Sequence, residues 1–134
     1  MNIKQSIIAM AIMATANIAI AGNANKHEVD ASKTKINWKA EKVTGEHTGA
    51  VKIKSGFLNT EDGTLQSGEF VIDMTSITCT DITDAETNQK LVGHLKSEDF
   101  FGVEKHNTAK LVIKNAVPQG QGSYKVVADI TIKG

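Results

Sequence analysis

The sequence has no arginine, one cysteine and one proline among its 134 residues. Arginine recognises phosphates and base edges through paired hydrogen bonds, so its absence argues against nucleic-acid binding. The lysines are scattered and matched by acidic residues, with a formal net charge of zero. The sequence therefore shows no basic patch that would attract an anionic membrane. Because a single thiol can form no internal disulfide, packing must hold the fold together.

Few side chains suggest chemistry. Cys79 is expected to be a small buried apolar residue, with a reactive thiol as the alternative. The four histidines, His27, His47, His94 and His106, show no metal-ligand spacing such as H-x-x-x-H. The sequence therefore predicts no catalytic residue, no metal ligand and no cofactor.

Residues 1–21 have the pattern of a secretory signal peptide. Lys4 is their only charge, residues 7–14 are apolar, and Ala-Ile-Ala at 19–21 fits a signal-peptidase site. The apolar run is too short for a membrane span, which needs roughly 20 residues. A retained anchor, a buried helix or cleavage after Ala24 are the alternatives. Cleavage near Ala21 would deliver the protein to the periplasm or the medium.

Beyond a polar segment at 22–28, expected to be flexible, apolar and charged residues alternate in five runs. This period is typical of half-buried antiparallel strands. The apolar sides of these runs are Ile36, Trp38 and Ala40; Val51 and Ile53; Phe70, Ile72 and Met74, continuing toward Ser76; Ala109, Leu111 and Ile113; and Tyr124, Val126, Ala128, Ile130 and Ile132. Turns are predicted at Gly45 and Glu46, at the Asp62–Gly63 pair and at residues 118–122.

Residues 84–102 interrupt the alternation. Leu91 and Leu95 have helical spacing, so a short helix is predicted over 85–93 with Asp84 as its N-cap. A second turn is predicted through residues 97–101 with Ser97 as its N-cap. The neighbouring Phe100 and Phe101 are expected to pack this insert onto the sheet.

The predicted fold class is mainly β, an extended antiparallel sheet with a short helical insert. Five strands cannot close a barrel wide enough for a ligand, which takes about eight. The sequence also stops at Gly134, directly after a strong strand whose edge would be left uncovered. An open sheet, a dimer or a missing C-terminal part would explain this, and we favour the missing part.

Two long motifs resemble the YceI-like family. They are Gly-Glu-Phe-Val-Ile-Asp-Met-Thr-Ser-Ile at 68–77 and Gly-His-Leu-Lys-Ser-Glu-Asp-Phe-Phe-Gly-Val-Glu-Lys at 93–105. The similarity runs from about Val29 to Gly134, and residues 29–134 are interpreted as a partial YceI-like barrel domain. This sequence departs from the family pattern at His106–Asn107, where an aromatic residue and a proline are usual. The family normally continues past position 134 with further strands.

The resemblance implies an exported, lipocalin-like β-barrel with an apolar tunnel. Members bind long amphiphiles, notably polyisoprenoids, so the expected function is non-catalytic binding and carriage of a polyisoprenoid or fatty-acid-like lipid. The expected partner is this hydrophobic small molecule, with no nucleic acid and no stable membrane insertion. A homodimer is possible.

An isoprenoid chain offers no hydrogen bonds, so its site needs only apolar walls, and each buried CH₂ contributes about 0.8 kcal/mol. The predicted ligand-binding residues are the inward side chains Trp38, Val51, Ile53, Phe70, Ile72, Met74, Leu111, Ile113, Val126 and Ile130, with Leu95, Phe100 and Phe101 closing one end. The same residues could equally form an ordinary core.

Two other functions compete with the carrier. A lipid-modifying enzyme would use His94 and Asp99 as its acid–base pair. A structural or stress-related periplasmic protein would fill the tunnel with its own side chains. The carrier is favoured because the sequence supplies apolar faces and no nucleophile–base set.

Overall fold

The computed structural model describes residues 9–15 and 24–134, and it describes side chains only from residue 24 onward. The described elements are β1 (Ala9–Thr15), β2 (Asn25–Glu28), β3 (Lys35–Lys42), β4 (Gly45–Glu61), β5 (Thr64–Cys79), α1 (Ala85–Lys96), β6 (Thr108–Gly120) and β7 (Ser123–Thr131). The prediction of a mainly β fold with one helical insert is confirmed, and the five predicted strands are β3 to β7. The predicted cleavage site at 19–21 lies outside the described residues.

All the described strands belong to one antiparallel sheet, in the order β1-β3-β4-β5-β6-β7. β2 pairs with the last part of β4 and β3 with its first part, so they share one edge of that long strand. β1 lies within the predicted signal peptide and pairs with β3, and β2 lies within the segment expected to be flexible. The described sheet is open, as in an incomplete lipocalin-like barrel.

Two tight hairpin turns fix the register of the sheet. Asp62 and Gly63 have φ values of 50° and 78° and join β4 to β5, as the Asp-Gly pair predicts. Gln121 and Gly122, with φ values of 55° and 76°, join β6 to β7. The second turn is shorter than the loop predicted at 118–122, because the pairing of β6 with β7 continues to Gly120 and Ser123.

The predicted first turn, at Gly45 and Glu46, is wrong by two residues, because the chain turns at residues 43–44. Glu46 lies in β4 opposite Glu41 of β3. Two carboxylates facing each other would repel, but the Lys39 ammonium lies 2.8 Å from Glu41 and 3.0 Å from Glu46. Because this ion cluster offsets the repulsion, the pairing of β3 with β4 includes Gly45 and Glu46, where the sequence predicted a turn.

The inward faces of β3 to β6, together with Val103 of the connection before β6, form one apolar core. Its buried members are Ile36, Trp38, Val51, Ile53, Leu58, Leu65, Phe70, Ile72, Met74, Ile77, Cys79, Val103, Ala109 and Ile113. The alternation therefore predicted the buried side of β3, of the start of β6 and of the middle of β4 and β5, and Cys79 is buried as expected.

Helix α1 begins where it was predicted. The Asp84 carboxylate accepts the Thr87 N–H at 2.9 Å, which is the hydrogen bond of an N-cap. The helix continues to Lys96, past the predicted end at Gly93, because Leu95 of the next turn still packs against the core.

The segment after α1 differs from its prediction at Ser97. The Ser97 hydroxyl donates to the His94 carbonyl at 2.6 Å, so its side chain caps the end of α1 instead of the start of the predicted turn. The turn itself is present, because the Ser97 carbonyl accepts the Phe100 N–H at 3.0 Å. Phe101 packs against the core, whereas half-buried Phe100 meets the His94 ring edge-to-face with centroids 4.7 Å apart. Val103 is a core residue that the sequence analysis missed.

Tyr124 ties β7 to β5. Its hydroxyl accepts the Leu65 N–H at 3.2 Å, beyond the stretch of β5 that pairs with β6. We expect Tyr124→Phe to lower the free energy of unfolding by about 1 kcal/mol, because the Leu65 amide loses its partner. Urea denaturation should show a lower midpoint at an unchanged slope. Ser123→Ala, at the exposed start of β7, is the matched control, and equal stability of Tyr124→Phe and wild type would contradict the assignment.

Candidate ligand site on the apolar face

An apolar pocket lies where β3 and β7 approach each other across the inward face of the sheet. Trp38 comes from β3 and Ile130 from β7, although three strands separate these two in the sheet. The sheet must therefore curl between β3 and β7 so that side chains from both strands meet on its inward face. The pocket is lined by apolar residues alone: Trp38, Val51, Ile72, Met74, Ile77, Ala109, Ile130 and Ile132.

The pocket is small and open at one side. Its volume is about 20 Å³, which has room for a water molecule and not for a lipid chain. Its lip is β7, where Val126 and Ile130 remain 40% and 41% exposed although they point to the inward side of the strand. An incoming apolar group would meet the pocket at this strand.

Of the thirteen predicted ligand-binding residues, the structure brings five together in this pocket: Trp38, Val51, Ile72, Met74 and Ile130. Ile53, Phe70 and Ile113 are core residues outside it. Leu95, Phe101 and Leu111 are half-buried against the core, Phe100 packs on His94, and Val126 is exposed. Which of them contact a ligand stays a prediction.

Ile77 lines the pocket and was missed because β5 contains a bulge. Strict alternation after Met74 predicts Ser76 on the inward face. The register between β4 and β5 shifts here, and the Ser76 hydroxyl accepts the Lys52 N–H at 2.7 Å. The extra residues of the bulge reverse the alternation and turn Ile77 inward. No simple sequence signal marks this reversal.

Gly49 supports the indole of Trp38. The Trp38 Nε1–H donates to the Thr78 carbonyl at 3.1 Å, which draws the ring across β4. A Cβ atom on Gly49 would lie 2.5 Å from the indole and 1.9 Å from the Thr78 oxygen. Only glycine leaves room for this ring, so the position of Trp38 in the pocket wall depends on Gly49.

Comparison with known proteins identifies the family. The model of the YceI-like domain matches residues 27–134.

The chain belongs to the YceI-like family.

Its relatives include a UPF0312 protein of Vibrio cholerae El Tor, 27% identical over 140 residues, which cover 98% of this chain and 68% of the relative. A UPF0312 protein of Vibrio vulnificus is 26% identical over the same shares of both chains. The family prediction is therefore confirmed.

The acid–base pair of the enzyme hypothesis lies outside the pocket of this YceI-like chain. His94 Nε2 and Asp99 Oδ2 are 4.0 Å apart, longer than a hydrogen bond, and both side chains are exposed. Neither residue lines the apolar pocket. This arrangement gives the enzyme hypothesis no support.

A second, wider space lies between α1 and the end of β5. It is an open groove of about 580 Å³ whose lining is Thr75, Ser76, Ile77, Thr78, Asn88, Gln89, Val92, Gly93 and Lys96. Six of these nine residues are polar in type, although the surface they present to the groove is mostly apolar. Within the part of the chain that the structure describes, no helix combines the length and apolarity needed to cross a membrane.

The YceI-like chain also gathers three polar side chains that sequence reasoning did not connect. His47 Nδ1 lies 2.9 Å from Asp81 Oδ2, and the Cys79 thiol donates to Asp81 Oδ1 at 3.0 Å. The hydrogen bond from Cys79 is the main reason why the pKa of Asp81 lies well below its usual value. Burial and the Asp81 carboxylate raise the pKa of Cys79, so the thiol stays protonated in this state.

Proposed function

We propose that this YceI-like protein binds and carries a long-chain amphiphilic lipid, of the polyisoprenoid or fatty-acid type, without converting it chemically. The observation that carries the proposal is the wholly apolar pocket between β3 and β7, with Ile130 exposed at its lip. Family membership and the absence of a nucleophile–base set at the pocket support the same function.

The pocket must widen to admit a lipid chain, because its volume of about 20 Å³ holds no more than a small group. Of the strands that line the pocket, β7 is held least, since among the described residues its ladder is with β6 alone and Tyr124 adds one hydrogen bond to β5. Ten buried methylenes would contribute about 8 kcal/mol, against which the ordering of the lipid and of β7 must be set. Binding is therefore expected to move β7 more than β4 or β5.

We also propose that the protein acts in the periplasm or outside the cell, after cleavage near Ala21. The composition of residues 1–21 supports this location. A carrier there would shield a hydrophobic lipid from water between membranes. The outer edge of β7, unpaired among the described residues, would also allow two copies to pair, which makes a homodimer a second part of the proposal.

One observation favours a different function. The small volume of the pocket is what a structural or stress-related protein would show if its own side chains filled the tunnel. The enzyme alternative would gain only if His94→Ala abolished turnover of a lipid and left its binding intact.

Native mass spectrometry of the protein purified from its own host tests the proposal. We expect a bound species whose mass is that of a long-chain lipid and which organic extraction removes. The extracted protein should then take up a fluorescent long-chain fatty acid, with protein unfolded in guanidinium as the control. A protein that carries no lipid and takes up none would favour the structural alternative and contradict the carrier.

A further inference from the structure

His47, Cys79 and Asp81 form a compact cluster at one end of the sheet. His47 lies near the start of β4, Cys79 ends β5, and Asp81 follows in the connection to α1. Their nitrogen, sulfur and oxygen donor atoms all lie within 4.8 Å of one another. His47 and Asp81 are 34 positions apart in the sequence, so only the pairing of β4 with β5 brings the three together.

We propose that His47, Cys79 and Asp81 bind a divalent transition-metal ion of the zinc class, with water as the fourth ligand. This site is separate from the apolar pocket and goes beyond the proposed lipid binding, because none of its three ligands lines that pocket.

The donor set fits this class of ion. Zinc is bound by imidazole nitrogen, thiolate sulfur and carboxylate oxygen in tetrahedral sites, at about 2.0–2.3 Å from the metal. In a tetrahedral site those bond lengths place neighbouring donors about 3.3–3.8 Å apart. His47 Nδ1 lies 2.9 Å from Asp81 Oδ2, whereas the Cys79 sulfur lies 3.0 Å from the other oxygen, Oδ1. With one atom from each residue the donors are within 4.8 Å of one another, so a rotation of the carboxylate and small side-chain shifts would seat them around an ion. A thiolate disfavours magnesium and calcium, which prefer oxygen ligands.

The charges also balance. As the sulfur–metal bond forms, the Cys79 thiol releases its proton to solvent, and the thiolate and the Asp81 carboxylate together neutralise the dication. His47 contributes a neutral nitrogen. The His47 and Asp81 side chains are 38% and 33% exposed, so the ion can enter from solvent and keep a water molecule. Three protein ligands and an open position are the arrangement of accessible zinc sites.

The backbone around the cluster holds the ligands in place. The Thr48 N–H donates to Asp81 Oδ1 at 3.0 Å, and the Thr80 N–H donates to the Thr48 carbonyl at 2.9 Å. Asn88 of α1 donates to the Cys79 carbonyl at 2.9 Å. The first contact holds the Asp81 carboxylate, and the other two hold the backbone at residues 79 and 80 that precedes it. A preformed site loses little conformational entropy when the metal binds.

The same three side chains can also satisfy one another through hydrogen bonds alone, so the experiment must distinguish a metal site from a structural cluster. Metal-free protein of the full chain is titrated under reducing conditions with Co²⁺ and then with Zn²⁺. We expect one equivalent of Co²⁺ to produce a thiolate-to-cobalt charge-transfer absorption, which Zn²⁺ then removes. Calorimetry should show one Zn²⁺ site of matching stoichiometry.

Variants locate the site. Cys79→Ser should abolish the charge-transfer band, and His47→Gln should weaken Zn²⁺ binding at least about tenfold, since each removes a ligand. His106→Ala removes a histidine outside the cluster and should bind as wild type does. Circular dichroism checks the fold of each variant. If Cys79→Ser fails to fold, His47→Gln still tests the proposal. His47 is partly exposed, so its replacement should leave the fold intact.

Two results would overturn the proposal. Absence of the charge-transfer band in the wild-type protein would show that Cys79 does not bind the metal, whatever the variants do. Equal Zn²⁺ affinity in folded His47→Gln and in wild type would show that any bound ion sits elsewhere. In either case the cluster would be a hydrogen-bonded clamp between the sheet and the connection to α1.

Discussion

Replacement of Gly49 by alanine is expected to lower the free energy of unfolding by about 3 kcal/mol or more, or to prevent folding altogether. The new methyl group would lie 1.9 Å from the Thr78 carbonyl oxygen and 2.5 Å from the Trp38 indole. The oxygen belongs to the backbone of β5 and also accepts the indole N–H, so neither neighbour can move without breaking that hydrogen bond. Relief would require β4 and β5 to separate.

The chain offers a matched control in Gly93→Ala. Gly93 lies inside α1, and a Cβ atom there would meet nothing within 4 Å. Because alanine favours the helix over glycine, this variant should be more stable than wild type by about 0.5–1 kcal/mol. The same glycine-to-alanine change is thus expected to destabilise the protein at position 49 and to stabilise it at position 93. Urea denaturation of both variants measures the two changes in the free energy of unfolding. A decrease of less than about 1 kcal/mol in Gly49→Ala would show that the contact of Gly49 with Trp38 and Thr78 is loosely packed.

Ile130→Glu is expected to weaken lipid binding at least tenfold, which corresponds to about 1.4 kcal/mol. The carboxylate would stand at the lip of a pocket whose lining is otherwise apolar, and an apolar chain could enter only by desolvating it. The fold should tolerate the change because Ile130 is 41% exposed and lies in an edge strand of the described sheet.

Val127→Glu is the control for this effect. Val127 lies in the same strand, is 62% exposed and does not line the pocket. It adds the same charge to the same strand, so both variants repel a fatty-acid headgroup similarly at long range. Titration with a fluorescent long-chain fatty acid compares them. Equal loss in the two variants would point to a charge effect, and unchanged binding in Ile130→Glu would place the lipid elsewhere.

Local sequence signals predicted the elements that local physics determines. Period-2 alternation identified the inward faces of β3 and β6, because a strand must turn every second side chain to the core. The Asp62–Gly63 pair predicted its turn because both residues tolerate positive φ, and Asp84 predicted the start of α1 because its carboxylate can accept an N–H of the first turn.

Features that depend on distant partners escaped this reasoning. Ile77 was missed because the bulge that turns it inward exists only in the pairing of β5 with β4. The first turn was misplaced because the Lys39 ion cluster joins two strands. His47 and Asp81 could not be linked by spacing, since the sheet alone brings them together. The pocket walls were predictable as a set of apolar residues, but the pocket's small volume was not.

The ladders of the described sheet also set the course of its assembly. From β3 to β7 each strand pairs with the next one in sequence, and three of these four steps need only a two-residue turn. The fourth, between β5 and β6, must close a loop of residues 80–107 that includes α1. Loop-closure entropy favours the short steps, so the β3–β4–β5 meander and the β6–β7 hairpin should form separately and dock last. The docking step completes the apolar pocket, which draws residues from both units.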